Sequence, residues 1–172
     1  GTTQGTSTWT LHSCGVTLYD TPGFLPGGRM GDLLTPETAS RLLPEKKLQV
    51  KLWNLPPDGA VLLGGLVGVW NQSPDVRTLV FFAGEKTTIH RSRGQKAEAL
   101  QQEGPDWLRV YHRQERPARF GEKFFTVQPG EDLYISGCGW VAVKREAARL
   151  RLLVPAGVEV GTRPSLIGRR DG

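Results

Sequence analysis

Cysteine is scarce: Cys14 and Cys138 are the only two in 172 residues. They lie far apart and outside any Cys-x-x-Cys spacing, which argues against a zinc site and for a reducing compartment, with both expected as buried free thiols. The three histidines, His12, His90 and His112, show no metal-ligand spacing, and no Ser-His or Cys-His pairing can be read from their positions. A metal-dependent or nucleophilic enzyme acting on its own therefore has no support. Long hydrophobic runs are missing too. The apolar stretch Gly59 to Arg77, interrupted at Asp75, is broken by Gly64, Gly65, Gly68 and Pro74, so it does not make a membrane-spanning helix. No signal peptide is visible and no repeat of fixed period is found.

What is present reads as globular and turn-rich. Hydrophobic residues make up 38%, with 22 Gly and 12 Pro, a balance that favours strands over helices. The length suits one good core, or a small fragment joined to one domain. The net charge is +5, and most of it is local. Between Lys86 and Lys123 nine Lys or Arg face five acids, giving +4. Such a concentration fits either a polyanion-binding face or a solvated helix and loop.

The organising stretch is Val16 to Gly23, VTLYDTPG. An apolar, β-branched run ends in Asp20-Thr21-Pro22-Gly23, which suits either the rim of a nucleotide site or an ordinary turn. Thr8 to Leu11 is expected to pair with Val16 to Asp20 as an antiparallel hairpin. The chain opens on Gly1 rather than Met and is expected to be a fragment. Phe24 to Asp32 reads as a Gly-rich loop, and Thr35 then caps a short helix with Pro36 in its first turn and Pro44 as its stop.

From Lys46 the pattern turns to strands. KLQVKLWNL alternates, PPDG turns, and AVLLGGLVGVW is a nearly continuous apolar run whose Gly64-Gly65 pair suggests a bulge or close backbone packing. TLVFFAG reads as a buried strand, Arg93 to Glu103 as a helix, and Gly104 to Gly130 as polar and irregular. DLYISGCGWVAV and RLRLLV follow as further strands.

Taken together, GTT at Gly1 to Thr3, DTPGF at Asp20 to Phe24, LTPE at Leu34 to Glu37, LLGGL at Leu62 to Leu66, IHRSRGQKAEAL at Ile89 to Leu100, SGCGWVAV at Ser136 to Val143 and VPAGVEVGTRPSLI at Val154 to Ile167 resemble the C-terminal part, from switch I onward, of the YqeH-type circularly permuted GTPases. That family includes bacterial, mitochondrial and chloroplast ribosome-assembly factors. The resemblance implies a mainly β fold with short helices. Residues 1–34 would be the end of a P-loop GTPase domain (a strand pair and switch II), 35–45 a helical linker, and 46–172 a β-rich domain similar to the trp RNA-binding attenuation protein.

It also implies roles. Thr3 would be the switch I threonine on Mg²⁺, and Asp20 and Gly23 the switch II pair, with Asp20 in the metal shell. Phe24 stands where many GTPases place a catalytic Gln, and an apolar side chain cannot orient the attacking water. The G-x-x-x-x-G-K-[ST] phosphate loop and the Asn-Lys-x-Asp base-reading motif, which lie upstream in the family's order, are absent from this sequence. GTP or GDP and Mg²⁺ are thus expected on the full-length protein and not on this chain alone.

Ribosomal RNA and small-subunit assembly intermediates are the expected partners, with ribosomal proteins as further candidates and neither DNA nor a membrane. An organelle, mitochondrion or chloroplast, is the expected location, with the bacterial cytoplasm as the alternative. The candidate RNA contacts are His90, Arg91, Arg93 and Lys96, then Arg109, Arg113, Arg116 and Arg119. Trp107 is open to two readings, a base-stacking ring or a core position, whereas Trp53, Trp70 and Trp140 sit in strand patterns and are expected in the core. The rival reading is a non-catalytic protein-interaction module whose basic face is incidental.

Overall fold

The computed structural model describes residues 27–166, together with the strand backbone of 7–11 and 16–20. Strands β1 (Ser7–Leu11) and β2 (Val16–Asp20) pair antiparallel, Ser7 opposite Asp20 and Leu11 opposite Val16, as the hairpin reading expects. Helix α1 (Pro36–Leu42) begins where Thr35 accepts the Thr38 N–H, with Pro at its first position. Strands β3 (Leu48–Leu55), β4 (Gly59–Leu63), β5 (Val67–Asn71), β6 (Arg77–Gly84) and β7 (Ile89–Arg93) follow. Helix α2 (Gly94–Glu103) comes next, then β8 (Phe120–Val127), β9 (Glu131–Ile135), β10 (Gly139–Val143), β11 (Ala148–Pro155) and β12 (Val160–Pro164).

Two five-stranded antiparallel sheets result, β12-β9-β10-β6-β3 and β7-β4-β5-β11-β8. Their inner faces share one apolar layer: Leu79, Phe81, Leu133, Ile135, Val141 and Val143 from the first sheet, Val61, Leu63, Val67, Val69, Leu150 and Leu152 from the second. Alternation along each strand places these side chains on one face, so the shared layer makes a sandwich. The expected fold class, mainly β with short helices, holds at this level.

Two local expectations are corrected. The run from Ala60 to Trp70 is a hairpin rather than one bulged strand. Gly64 and Gly65, at φ +57° and +69°, make its turn, closed by Leu66 N–H donating to the Leu63 carbonyl at 3.0 Å. Only Gly adopts two successive left-handed residues without penalty. The region Gly104 to Gly130 is not wholly irregular either, because Phe120–Val127 forms β8, paired with β11 from Phe120 opposite Pro155 to Val127 opposite Ala148.

The outer face of the second sheet is covered by α2. Ala60, Leu62 and Trp70 pack there with Ala97 and Leu108. Arg151, opposite Trp70 in the ladder, lays its guanidinium 4.4 Å from the Trp70 ring centre. It also pairs with Glu98 of α2 and, at 3.5 Å, with Glu122 of β8. A cation stacked on an indole and shared by two carboxylates locates the helix over this sheet.

The segment ahead of α1 is fixed to the β-rich unit. Met30 is fully buried in the shared layer and its N–H donates to the Ser136 carbonyl at 2.8 Å, while the Gly28 carbonyl accepts from Glu159 N–H at 2.7 Å. Glu115, on a short 3-10 turn at Arg113–Glu115, accepts the Thr35 N–H (2.9 Å), the Thr38 hydroxyl (2.7 Å) and the His112 N–H (2.9 Å). One carboxylate therefore joins the start of α1 to the loop carrying Arg113 and Arg116. Hydrogen bonds from Thr35, then from Thr38, lower the Glu115 pKa from 4.5 to about 2.

A depressed carboxylate pKa contributes stability that is present above the ordinary value and lost as pH falls toward the folded one. Glu115→Gln is therefore expected to lower stability at pH 7 by about 1 kcal/mol, a few degrees in Tm. The gap to wild type should close between about pH 4.5 and pH 2 in thermal melts. A gap of the same size at both ends of that range contradicts the assignment.

Candidate nucleic-acid interface

The candidate cations sort by what they touch. Arg109 is largely covered, pairs with Asp106, and lies 5.9 Å from the Tyr111 ring centre, so its charge serves the fold locally. Arg116 reaches the Gln101 carbonyl, at the far end of α2, at 3.4 Å. Lys86 pairs with Glu45, and Lys123 donates to the Val158 carbonyl at 2.9 Å. Arg91, Arg93, Lys96, Arg113 and Arg119 are exposed and form no ion pair among the described residues.

These five fall in two groups. Arg91 and Arg93 lie on β7, an edge strand of the second sheet, and Lys96 is in the first turn of α2, so all three fall along one edge, with Lys96 on the side of His90 and Arg91 alternating to the other face. Arg113 and Arg119 flank the loop that Glu115 holds to α1, beside a cleft of about 470 Å³ lined by Leu33, Arg116, Pro117 and Ala156. A ten-residue helix is about 15 Å long, and Arg116 sits at the opposite end of α2 from Lys96.

The start of α2 is electrostatically unusual. Its N-cap, Arg93, makes no side-chain capping bond, and no acidic residue occupies the first turn. Helices normally place Asp or Glu there, against the positive end of the dipole. Here Arg93 is the N-cap and Lys96 stands in the first turn, and the acid at this end comes from another loop: the Asp58 carbonyl accepts the Gly94 N–H at 2.9 Å and its carboxylate lies against Gly94. A positive dipole end with Arg93 and Lys96 exposed beside it favours an anion, in addition to the charge that Asp58 supplies from within the chain.

His90 lies on the outer face of β7 in line with Leu62 and is half-buried. Its pKa is lowered by burial and then by the charge of Lys96. Its ring meets Trp107 edge-to-face, centroids 4.8 Å apart at 71°. Of the two readings of Trp107, the structure selects exposure. The indole is 53% exposed, and the neighbouring Leu108 takes the buried position beneath α2. Trp70 is fully buried as expected and Trp53 packs against the shared layer. Trp140 instead stands half-buried on the outer face of the first sheet, stacked on Phe82 at 4.6 Å.

Thr3, Gly23 and Phe24 lie outside the described residues, and Asp20 is described only as the last residue of β2. Cys138 is a buried thiol pushed up to about 12 by burial, while Cys14 is outside the described residues. Among the described residues no group of His, Cys, Asp or Glu could hold a metal ion, and no helix is long and apolar enough to cross a membrane. Sequence reasoning missed the Glu115 junction, whose partners lie some eighty positions away; its one local trace is the His112-x-x-Glu115 spacing of a capping box.

Comparison with known proteins gives two concordant findings. A family model described as YqeH-like, C-terminal, matches residues 76–166, just over half of the chain. A Bacillus subtilis (strain 168) protein named Uncharacterized protein YqeH is 27% identical over 157 residues, covering 89% of this chain and 43% of that protein. The chain thus spans less than half the length of this relative. The matched segment contains β7, α2, the Trp107 turn and the loop held by Glu115, and on this evidence the chain belongs to the YqeH-like C-terminal family.

Proposed function

We propose that this chain is the C-terminal part of a circularly permuted GTPase that acts in ribosome assembly, and that its β-rich domain, similar to the trp RNA-binding attenuation protein, contacts ribosomal RNA of the small subunit. The reading rests on family membership together with one observation above the rest. Arg93, the N-cap, and Lys96, in the first turn, stand exposed at the positive end of α2, with Arg91 two residues earlier on the edge strand, and none of the three forms an ion pair among the described residues. Placing cations there raises the local field, and a bound phosphate backbone relieves it. In the full-length protein Thr3 and Asp20 would hold Mg²⁺ beside GTP, and Gly23 would sense the terminal phosphate. With Phe24 at the Gln position, hydrolysis would draw its water-positioning group from elsewhere, including the bound RNA.

The link between nucleotide and RNA is the segment after switch II. From Gly28 it is hydrogen-bonded to the β-rich domain, and through Glu115 the helix that follows is tied to the loop bearing Arg113 and Arg116. A change at Gly23 that moved this segment would reach that loop through the Glu115 contacts. A second reading, recognition of a protein partner, is favoured by β3. Its Val50 and Leu52 are 55% and 59% exposed beside Phe82 and Val80 on the outer face of the first sheet. An organelle location remains part of the proposal.

Replacing Arg91, Arg93 and Lys96 together by Gln in the 172-residue chain should weaken small-subunit rRNA binding at least about tenfold. The slope of log affinity against log salt should fall by about 2, close to 0.7 for each lost cation. Unchanged affinity by fluorescence anisotropy counts against RNA binding at this edge. In the full-length protein, Gly23→Ala should abolish any difference in ribosome binding between GTP and GDP states; a difference that survives the substitution rejects the coupling.

A further inference from the structure

Resting on the RNA-binding reading, we propose that Trp107 is a base-stacking position and that this edge of the domain therefore takes unpaired rather than duplex RNA. Among the described residues the indole is the one large ring that projects from the cationic edge. Its support is rigid. Leu108 N–H and Arg109 N–H both donate to the Pro105 carbonyl, at 2.9 and 3.1 Å, and the Thr88 hydroxyl donates to the Trp107 carbonyl at 3.3 Å. Leu108 is buried under α2, so the turn cannot swing without uncovering it. His90 packs edge-to-face against the indole, ring centres 4.8 Å apart. A ring held in place before binding loses little freedom when a ligand arrives.

The surroundings of Trp107 select the kind of ligand. His90 joins it directly to Lys96, whose charge is felt at the imidazole, while Arg91, the next residue of β7, alternates to the other face of the same exposed edge. The other exposed apolar side chains of the strands stand away from it: Val50 and Leu52 belong to the other sheet, and Phe124 lies on β8, at the opposite edge of this one. A flat apolar ring bordered by cations matches a ligand that offers planar π surfaces on a polyanionic backbone. In a duplex the bases are stacked on one another and their faces are closed. Single strands, loops and bulges leave them open. The cations would bind either form, and only the indole tells them apart.

The test uses the 172-residue chain with Trp107→Ala and Trp107→Phe, against a non-pairing oligoribonucleotide of roughly 12 nucleotides and an RNA duplex of the same length, by anisotropy at two salt concentrations. Trp107→Ala should weaken single-strand binding about tenfold, within the range set by one stacked base. The salt slope and the duplex affinity should stay unchanged, and Trp107→Phe should keep most of the single-strand affinity. Equal effects on both probes, or no effect on either, overturn the stacking role while salt-dependent binding by wild type leaves the RNA reading standing. Failure of wild type to bind either RNA rejects that reading itself. Loss of a ribosomal-protein partner in Trp107→Ala, with RNA binding intact, assigns the indole to protein contact and also overturns the proposal.

Discussion

Burial of two inner sheet faces in one apolar layer is the constraint from which the remaining geometry follows. Leu79, Phe81 and Val141 on one side and Val61, Val69 and Leu152 on the other leave water together, and each large side chain so buried contributes about 1.5–3 kcal/mol. Alternation then forces the intervening residues outward. On the second sheet these are Ala60, Leu62, Trp70 and Arg151, which α2 covers through Ala97 and the Glu98 ion pair. On the first they include Val50, Leu52, Phe82 and Trp140, where Phe82 and Trp140 shield one another and β3 remains exposed.

The seat of α2 decides where charge gathers. Because Arg151 sits on Trp70 and holds Glu98, α2 lies over this sheet beside its edge strand β7, with Arg93 as its N-cap and Lys96 in its first turn. The same seat buries Leu108 and leaves Trp107 outside, against His90. The second basic group depends on a different contact. Glu115 engages both Thr35 and Thr38 and thereby connects Arg113 and Arg116 to the start of α1. Cations with structural partners, such as Arg109 and Arg151, and cations without them are thus separated by position rather than by residue type.

Much of this was legible in the sequence. Alternating runs marked β3 and β11, Thr35-Pro36 marked α1, and the order of seven short motifs indicated the family that the comparisons show. What escaped depended on long-range pairing. Strand β8 is an edge strand in which Lys123 and Glu122 interrupt the apolar residues; its inward positions, Phe125 and Val127, take meaning only opposite β11. Gly64-Gly65 read as a bulge or close packing within one apolar run, and only the pairing of β4 with β5 makes it a turn. For Trp107 the sequence offers two adjacent apolar residues and room for one of them under the helix, and the smaller Leu108 took it.

The most direct test of the account is a map of backbone amide shifts in the 172-residue chain titrated with single-stranded RNA. The account predicts the largest changes along Ile89 to Lys96 and Asp106 to Leu108, with smaller ones near Arg113 and Arg119. Changes confined to Leu48–Leu55 and to the outer face around Phe82 and Trp140 would contradict it, and would move the binding surface of this domain to the opposite sheet.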